Sequence, residues 1–296
     1  MIFAIKRCFM QKIVPIVSAA EVGRLMENKA VVLIDARTGA DALDKYNAEH
    51  LDGARYVDLE KDLSLKGPDA SKGGRHPLPP AKDFAALLGR LGINTSSHIV
   101  VYDDKAGANA AARFWWMLRA LGHEKVQVLD GGLASALKAG LPVTDKIPAV
   151  TTQAPYPADK WMLPTTNADD VARAVSDPNH LVIDVREGFR YRGESEPIDL
   201  VAGHIPGAIN IPYTENLDSG GHFRSADELN KKYTDALAGR DAQRVIVHCG
   251  SGVTACHTML AMEHAGLEIL VLYVGSWSEW SRNARPVAVG EGVIEN

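Results

Sequence analysis

The chain has 296 residues, 46% hydrophobic and 23% charged, with 32 Lys and Arg against 37 Asp and Glu for a net charge of −5. That length exceeds a typical single domain, and the composition is that of a globular chain able to bury two cores. The charge balance offers neither nucleic acid nor a membrane surface a basic face, and no apolar run approaches the ~18 residues needed to cross a bilayer.

The first segment, MIFAIKRCFMQKIVPIVSAA, is apolar, but Lys6, Arg7, Gln11 and Lys12 interrupt it. No small-residue cleavage site follows, so it reads as a short extension rather than a secretion signal. VVLIDAR (31–37) is a buried-strand run. FAALLGRLG (84–92) and AARFWWMLRALG (111–122) have helical spacing and stop on glycine, and the first helix of the pair is followed by the strand HIVVYDD (98–104). VLDGGL (128–133) is a further strand and turn. Residues 142–165, PVTDKIPAVTTQAPYPADKWMLPT, lack apolar periodicity and carry the proline of a stiff extended linker. ADDVARAVSD (168–177) then reads as a helix, with Asn167 as its N-cap.

From there the chain repeats itself. LVIDVRE (181–187) answers VVLIDAR, HIPGAINIP (204–212) answers HLDGARYVD (50–58), RVIVHCG (244–250) answers HIVVYDD, and LYVGSW (272–277) answers VLDGGL. Matches in the same order indicate a duplicated domain. Strands alternating with helices predict α/β domains with mostly parallel sheets, whose sites lie at the carboxyl ends of strands. The expected boundaries are 14–145 for the first domain, 146–163 for the linker and 164–290 for the second.

The segment VIVHCGSGVTAC (245–256) carries the chemistry. Its strand delivers Cys249 to the edge of the sheet. Gly250, Ser251 and Gly252 let the backbone curl so that successive N–H groups face inward, with Val253, Thr254 and the next helix completing an anion cradle. Such surroundings lower a cysteine pKa from about 8.5 to roughly 3.5–7.5, raising the thiolate fraction. Ser251 and Thr254 add hydroxyl donors. Cysteine phosphatases share a His-Cys pair but place an arginine where this chain has Ala255, so a phosphoryl group would lack its bidentate clamp. The other cysteines are Cys8 and Cys256; three is odd, and no spacing suggests disulfides or zinc, so a reducing cytoplasm is the expected compartment. Cys256 reads as a small buried hydrophobe, and Trp115 and Trp116 as core. Asp35 and Asp184 read as buried braces for nearby arginines. Trp277 and Trp280 suit either a cleft wall or a core, and His257 and His264 lie on a helix without ligand partners.

CGSGVT, HIPGA and GSWSEW together resemble the two-domain rhodanese superfamily, and CGSGVTAC resembles its 3-mercaptopyruvate sulfurtransferases. The resemblance implies two tandem rhodanese-like domains, the second catalytic and the first silent, because Asp103 stands opposite Cys249. It implies sulfur transfer through a Cys249 persulfide, with no cofactor and no metal. The donor is a small anion; the acceptor is a thiol, a thioredoxin-like protein or cyanide; the default state is a monomer. The uncharged Gly250 and Ser251 favour 3-mercaptopyruvate over thiosulfate. Arg190, in RYRG (190–193), matches the arginine that binds the donor's anionic end, whereas Ile198 stands where the mercaptopyruvate branch has a second such arginine. Ser251, His76 of RHPLP and Glu60 of VDLEKD match a proton relay, with Asp58 structural. Two alternatives remain at this point: thiosulfate as donor by the same route, and a sulfur carrier loaded by a partner without turnover.

Overall fold

A computed structural model describes residues 13–291; Cys8 and most of the N-terminal extension lie outside them. The first half runs β1 (Ile16–Val17), α1 (Ala19–Glu27), β2 (Val32–Asp35), α2 (Ala42–Ala48), β3 (His50–Leu51), β4 (Arg55–Tyr56), α3 (Ala81–Arg90), β5 (Ile99–Tyr102), α4 (Ala110–Ala120), β6 (Val126–Leu129), α5 (Gly132–Lys138) and β7 (Val143–Thr144). The second runs β8 (Thr165–Thr166), α6 (Ala168–Ala174), β9 (Leu181–Asp184), α7 (Gly188–Tyr191), β10 (Ile209–Asn210), α8 (Ala226–Leu237), β11 (Val245–His248), α9 (Ala255–His264), β12 (Val271–Tyr273) and α10 (Ser276–Trp280).

The strands form two parallel sheets in the orders β1-β6-β5-β2-β4 and β8-β12-β11-β9-β10, which is the same order twice. An antiparallel pair, β3 with β7, closes the first unit, and a His204–Ala288 bridge closes the second at the matching place. Local chemistry repeats as well. Ser18 caps α1 by accepting the Glu21 amide, and Asn167 caps α6 by accepting those of Asp169 and Asp170. Asp35 braces Arg37 at 2.8 Å and Asp184 braces Arg186 at 2.5 Å, all four side chains buried.

Both central strands, IVVY of β5 and VIVH of β11, are buried throughout because helices cover both faces of each sheet. Across the boundary α4 packs on α9. That contact explains why α9 is buried along nearly its whole length: Cys256, Met259, Leu260 and Met262 lie in one continuous core with Trp115, Trp116 and Phe114 of α4. Trp277 and Trp280 sit in a separate core under the second sheet, with the Arg186 guanidinium 4.6 Å over Trp277, so they are packing residues rather than cleft walls. The linker is a strap along the first domain. The Gln153, Tyr156 and Met162 amides donate to Gly89, Ala85 and Ala120, and Trp161 Nε1 donates to Pro79 O at 3.1 Å.

His257 of α9 is fully buried, stacks 4.6 Å from Phe223 and leaves Nε2 without a partner. Burial, with nearby Lys232 adding to it, pushes its pKa down to about 3. The unfolded chain takes up this proton below about pH 6.5 while the folded chain does not, so stability falls with pH by up to about 1.4 kcal/mol per unit. Thermal midpoints followed from about pH 6.5 down to about 4.5 should therefore decline less steeply for His257→Phe than for the wild type; parallel declines would show that another group governs acid sensitivity.

Candidate active site

Cys249 follows β11 as Asp103 follows β5, and the strand registers coincide: His248 lies beside Asp184, Tyr102 beside Asp35. The two loops differ in what fills them. The Asp103 carboxylate is fully buried and accepts the amides of Lys105 (2.9 Å), Gly107 (2.8 Å), Asn109 (3.2 Å) and Ala111 (3.3 Å). In the second domain the amides of Gly250, Ser251, Gly252, Val253 and Thr254 meet no acceptor among the described residues. Burial pushes the Asp103 carboxyl above its usual pKa, against the four amides that favour its charge. The first domain thus fills its curl with a carboxyl group, and the other domain presents a thiol beside an open one.

The loop is held from below by the turn into α10. Cys249 N–H donates to Ser276 Oγ (3.2 Å), while the Cys249 and Gly250 carbonyls accept from the Trp277 (3.0 Å) and Ser278 (2.8 Å) amides. Gly252 sits at φ +74°, and a Cβ there would fall 2.4 Å from Val274 O. Cys249 is only 3% exposed. Thr254 occupies the N-cap position of α9, but its hydroxyl makes no capping bond.

The first domain supplies the opposite wall. His76 Nδ1 lies 2.7 Å from Ser251 Oγ, and His76 Nε2 lies 3.0 Å from Glu60 Oε1. Burial pushes the His76 imidazole below its usual pKa, against the pull of Glu60. Burial works against ionisation of Glu60 too, yet the His76 and Lys66 contacts hold its carboxyl below the usual range. A carboxylate only accepts, so Nε2–H of a neutral His76 donates to Glu60, and Nδ1 accepts the Ser251 hydroxyl. The three residues therefore form a directed line, Ser251 to His76 to Glu60. Asp58 turns the local backbone instead, accepting the Glu60 and Lys61 amides.

Two guanidinium groups stand over Gly250. A Cβ on that residue would lie 3.2 Å from Arg75 Nη2 and 3.4 Å from Arg190 Nη2. Arg190 is buried and paired with Glu196 (2.7 Å), with Glu187 and Asp199 each at 3.6 Å. Burial opposes its charge, but these carboxylates outweigh it and hold its pKa above the ordinary value. Arg75 reaches Asp199 at 3.1 Å from the other domain. Sequence reasoning passed over Arg75; its adjacency to His76 in RHPLP was the available signal. Ile198 is 55% exposed. A cavity of about 210 Å³ opens beside this group, lined by Glu60, Lys66, Arg75 and His76. Among the described residues no three His, Cys, Asp or Glu side chains converge as metal ligands, and no helix is long and apolar enough to cross a membrane.

A buried cysteine beside an open amide curl, faced by Arg190 of its own domain and by Arg75 and His76 of the other, defines a two-domain α/β protein with a thiol at the edge of its second sheet. The pattern of the family described as "Rhodanese-like domain" matches residues 18–139 and 167–283, and the chain belongs to that family. It is 41% identical over 254 residues to the Pseudomonas aeruginosa protein named "Probable 3-mercaptopyruvate sulfurtransferase", covering 83% of this chain and 86% of that one. It is 35% identical over 249 residues to a thiosulfate sulfurtransferase of Gallus gallus, covering 83% of each. The structure of a 3-mercaptopyruvate sulfurtransferase from Leishmania major superposes with a TM-score of 0.80 at 29% identity, over 92% of this chain and 75% of that one.

The Gly252 geometry can be checked against Gly266, which has φ +77° but open space where a Cβ would go. Gly266→Ala should cost about 1 kcal/mol of unfolding free energy from left-handed strain alone. Gly252→Ala adds a clash with a backbone oxygen and should cost about 2–4 kcal/mol. Denaturant unfolding of both variants compares them; equal costs would mean that the loop shifts to accept the added methyl group.

Proposed function

We propose that the protein transfers sulfur from 3-mercaptopyruvate to a thiol, a thioredoxin-like protein or cyanide through a persulfide on Cys249. The contrast between the two curls carries this reading: a filled anion cradle at Asp103, and an open one beside a nucleophile at Cys249. Cys249 thiolate attacks the donor sulfur, and the sulfur–carbon bond breaks with its electron pair going to carbon. The departing enolate takes up the proton that the donor thiol carried, giving pyruvate and a Cys249 persulfide anion. A thiol or cyanide then attacks the outer sulfur and returns Cys249 as thiolate. The amides of residues 250–254 stabilise the anionic sulfur throughout. Arg190 and Arg75 hold the donor carboxylate, so a guanidinium from the first domain compensates for Ile198.

The Ser251–His76–Glu60 line favours 3-mercaptopyruvate as donor. Cleaving 3-mercaptopyruvate moves a proton from sulfur to carbon, and a hydroxyl backed by a neutral imidazole serves that step. Cleaving thiosulfate releases sulfite and moves no proton, so the line would be idle. Both described cysteines are free, which suits a reducing cytoplasm, and a monomer suffices because one chain supplies every residue invoked.

Initial rates of transfer to cyanide should show the larger kcat/KM with 3-mercaptopyruvate, and Cys249→Ser should be inert with both donors. Loss of a general acid–base group costs roughly 10²–10⁴ in rate, so Ser251→Ala and His76→Asn should lose at least about ten-fold with 3-mercaptopyruvate while staying within a few-fold with thiosulfate. Equal losses with both donors would assign the line to loop geometry, and a preference for thiosulfate would overturn the donor.

The acid limb of kcat offers a separate check. Protonated His76 cannot accept from Ser251, so activity falls at a pH below the ordinary histidine value of about 6.5. Glu60 is the group that raises the His76 pKa, so Glu60→Gln should move this limb to lower pH and reduce the plateau. An upward shift would place the limb on a different group.

A further inference from the structure

Arg113 lies on α4, in the domain without the cysteine, and its side chain is fully buried. Other buried arginines here have acids: Arg37 has Asp35, Arg186 has Asp184, Arg190 has Glu196. Arg113 pairs with no carboxylate among the described residues, and its Nε has no partner. An unpaired buried charge is costly, so the structure must compensate it by other means.

Its contacts show how. Nη1 donates to Gly252 O (3.0 Å), inside the Cys249 loop. Nη2 donates to His76 O (3.1 Å) and lies 3.5 Å from Leu63 O, on the segment that carries the relay histidine. One planar fork thus ties together the two pieces of chain that meet at the site, which come from different domains. Burial disfavours the Arg113 charge, and the groups that favour it are the Cys256 and Cys249 sulfurs. Cys256 is not the anion near neutral pH, because burial pushes its thiol up to about 12 even with Arg113 beside it. The remaining sulfur beside Arg113 is that of Cys249, at the head of the loop that Nη1 holds.

We propose that Arg113 is a positioning residue for sulfur transfer: it clamps the Cys249 loop to the His76 segment and supplies the buried cation behind the anionic sulfur. The assignment rests on the persulfide route given above. It divides the labour among the arginines, with Arg75 and Arg190 on the donor side of the loop and Arg113 on its protein side.

The test uses the full chain with Arg113→Met, which removes charge and fork, and Arg113→Lys, which keeps the charge and loses the fork. Two quantities are read: kcat and KM with 3-mercaptopyruvate, and the iodoacetamide alkylation rate of Cys249 near pH 7 relative to near pH 9.5, which follows the thiolate fraction. Arg113→Met should lower kcat at least about ten-fold with KM within about three-fold, and lower the alkylation ratio at least about five-fold. Arg113→Lys should hold that ratio within about two-fold of the wild type while kcat still falls. A wild-type alkylation ratio in Arg113→Met would overturn the electrostatic role and leave only packing. Should Arg113→Met not fold, Arg113→Lys decides, since an unchanged kcat or a lost alkylation ratio there overturns the proposal. The alkylation readout needs no turnover, so a wild type inactive toward 3-mercaptopyruvate would sink the donor assignment and still leave Arg113 measurable.

Discussion

In the first domain four backbone N–H groups converge on the Asp103 carboxylate at 2.8–3.3 Å. That interaction shows what the curl after a central strand is for. Left-handed glycines turn successive amides to one side, and a negative charge at the first side chain satisfies them. With Asp103 the arrangement is closed and chemically inert. With Cys249 a thiol replaces the carboxylate on Cβ, and the amides of the curl are left open. Two matching sheets thus carry two different fillings of the curl after the central strand.

The Cys249 domain depends on the Asp103 domain. His76, Glu60, Arg75 and Arg113 all come from the first half, and each meets the Cys249 loop or the groups around it. What holds them there is the burial of α4 against α9, which merges the two cores. The Asp103 curl also directs the start of α4, because its last two donors are Asn109 and Ala111 at that helix's N-terminus. The Asp103 curl therefore sets the helix that carries Arg113. Burial of this kind is non-directional, so the specific hydrogen bonds across the boundary must fix the register of the two halves. Glu279 Oε1 accepting the Gly73 amide (2.8 Å) and Ser278 Oγ accepting that of Arg75 (3.0 Å) do so next to the site.

Features encoded over a few residues were legible in the sequence. The duplicated strands, the Asn167 cap, the Asp-x-Arg braces and the glycine curl after Cys249 depend on period, spacing and turn chemistry within about ten residues. Trp277 and Trp280 were ambiguous because an aromatic looks the same in a core and in a cleft wall until its neighbours are known. Arg75 and Arg113 were illegible for a stronger reason. Arg75 meets Asp199 across 124 residues and Arg113 meets Gly252 across 139, so their surroundings exist only once the domains dock. The His76–Ser251 contact spans 175 residues and was reachable only through resemblance.

The arginines over the loop are almost neutralised before any donor arrives. Asp199 is buried and shared by Arg75 (3.1 Å), Arg282 (2.9 Å) and Arg190 (3.6 Å), and Glu196 holds Arg190 more closely still. This weakens the attraction of the cleft for anions in general, so affinity is not what the arrangement maximises. It fixes two guanidinium planes from different domains before binding, and ordering long side chains is a large part of what binding otherwise costs. On the function proposed above, a ligand gains most when its carboxylate fits both forks while its sulfur reaches Cys249. An anion of another shape meets the carboxylates without that compensation. A product lacking the sulfur keeps its carboxylate contacts but loses the contact at the loop, and modest net attraction then favours its release ahead of the acceptor. Pairing the arginines with acids thus suits a two-step transfer, in which the donor's remnant has to leave while the sulfur stays.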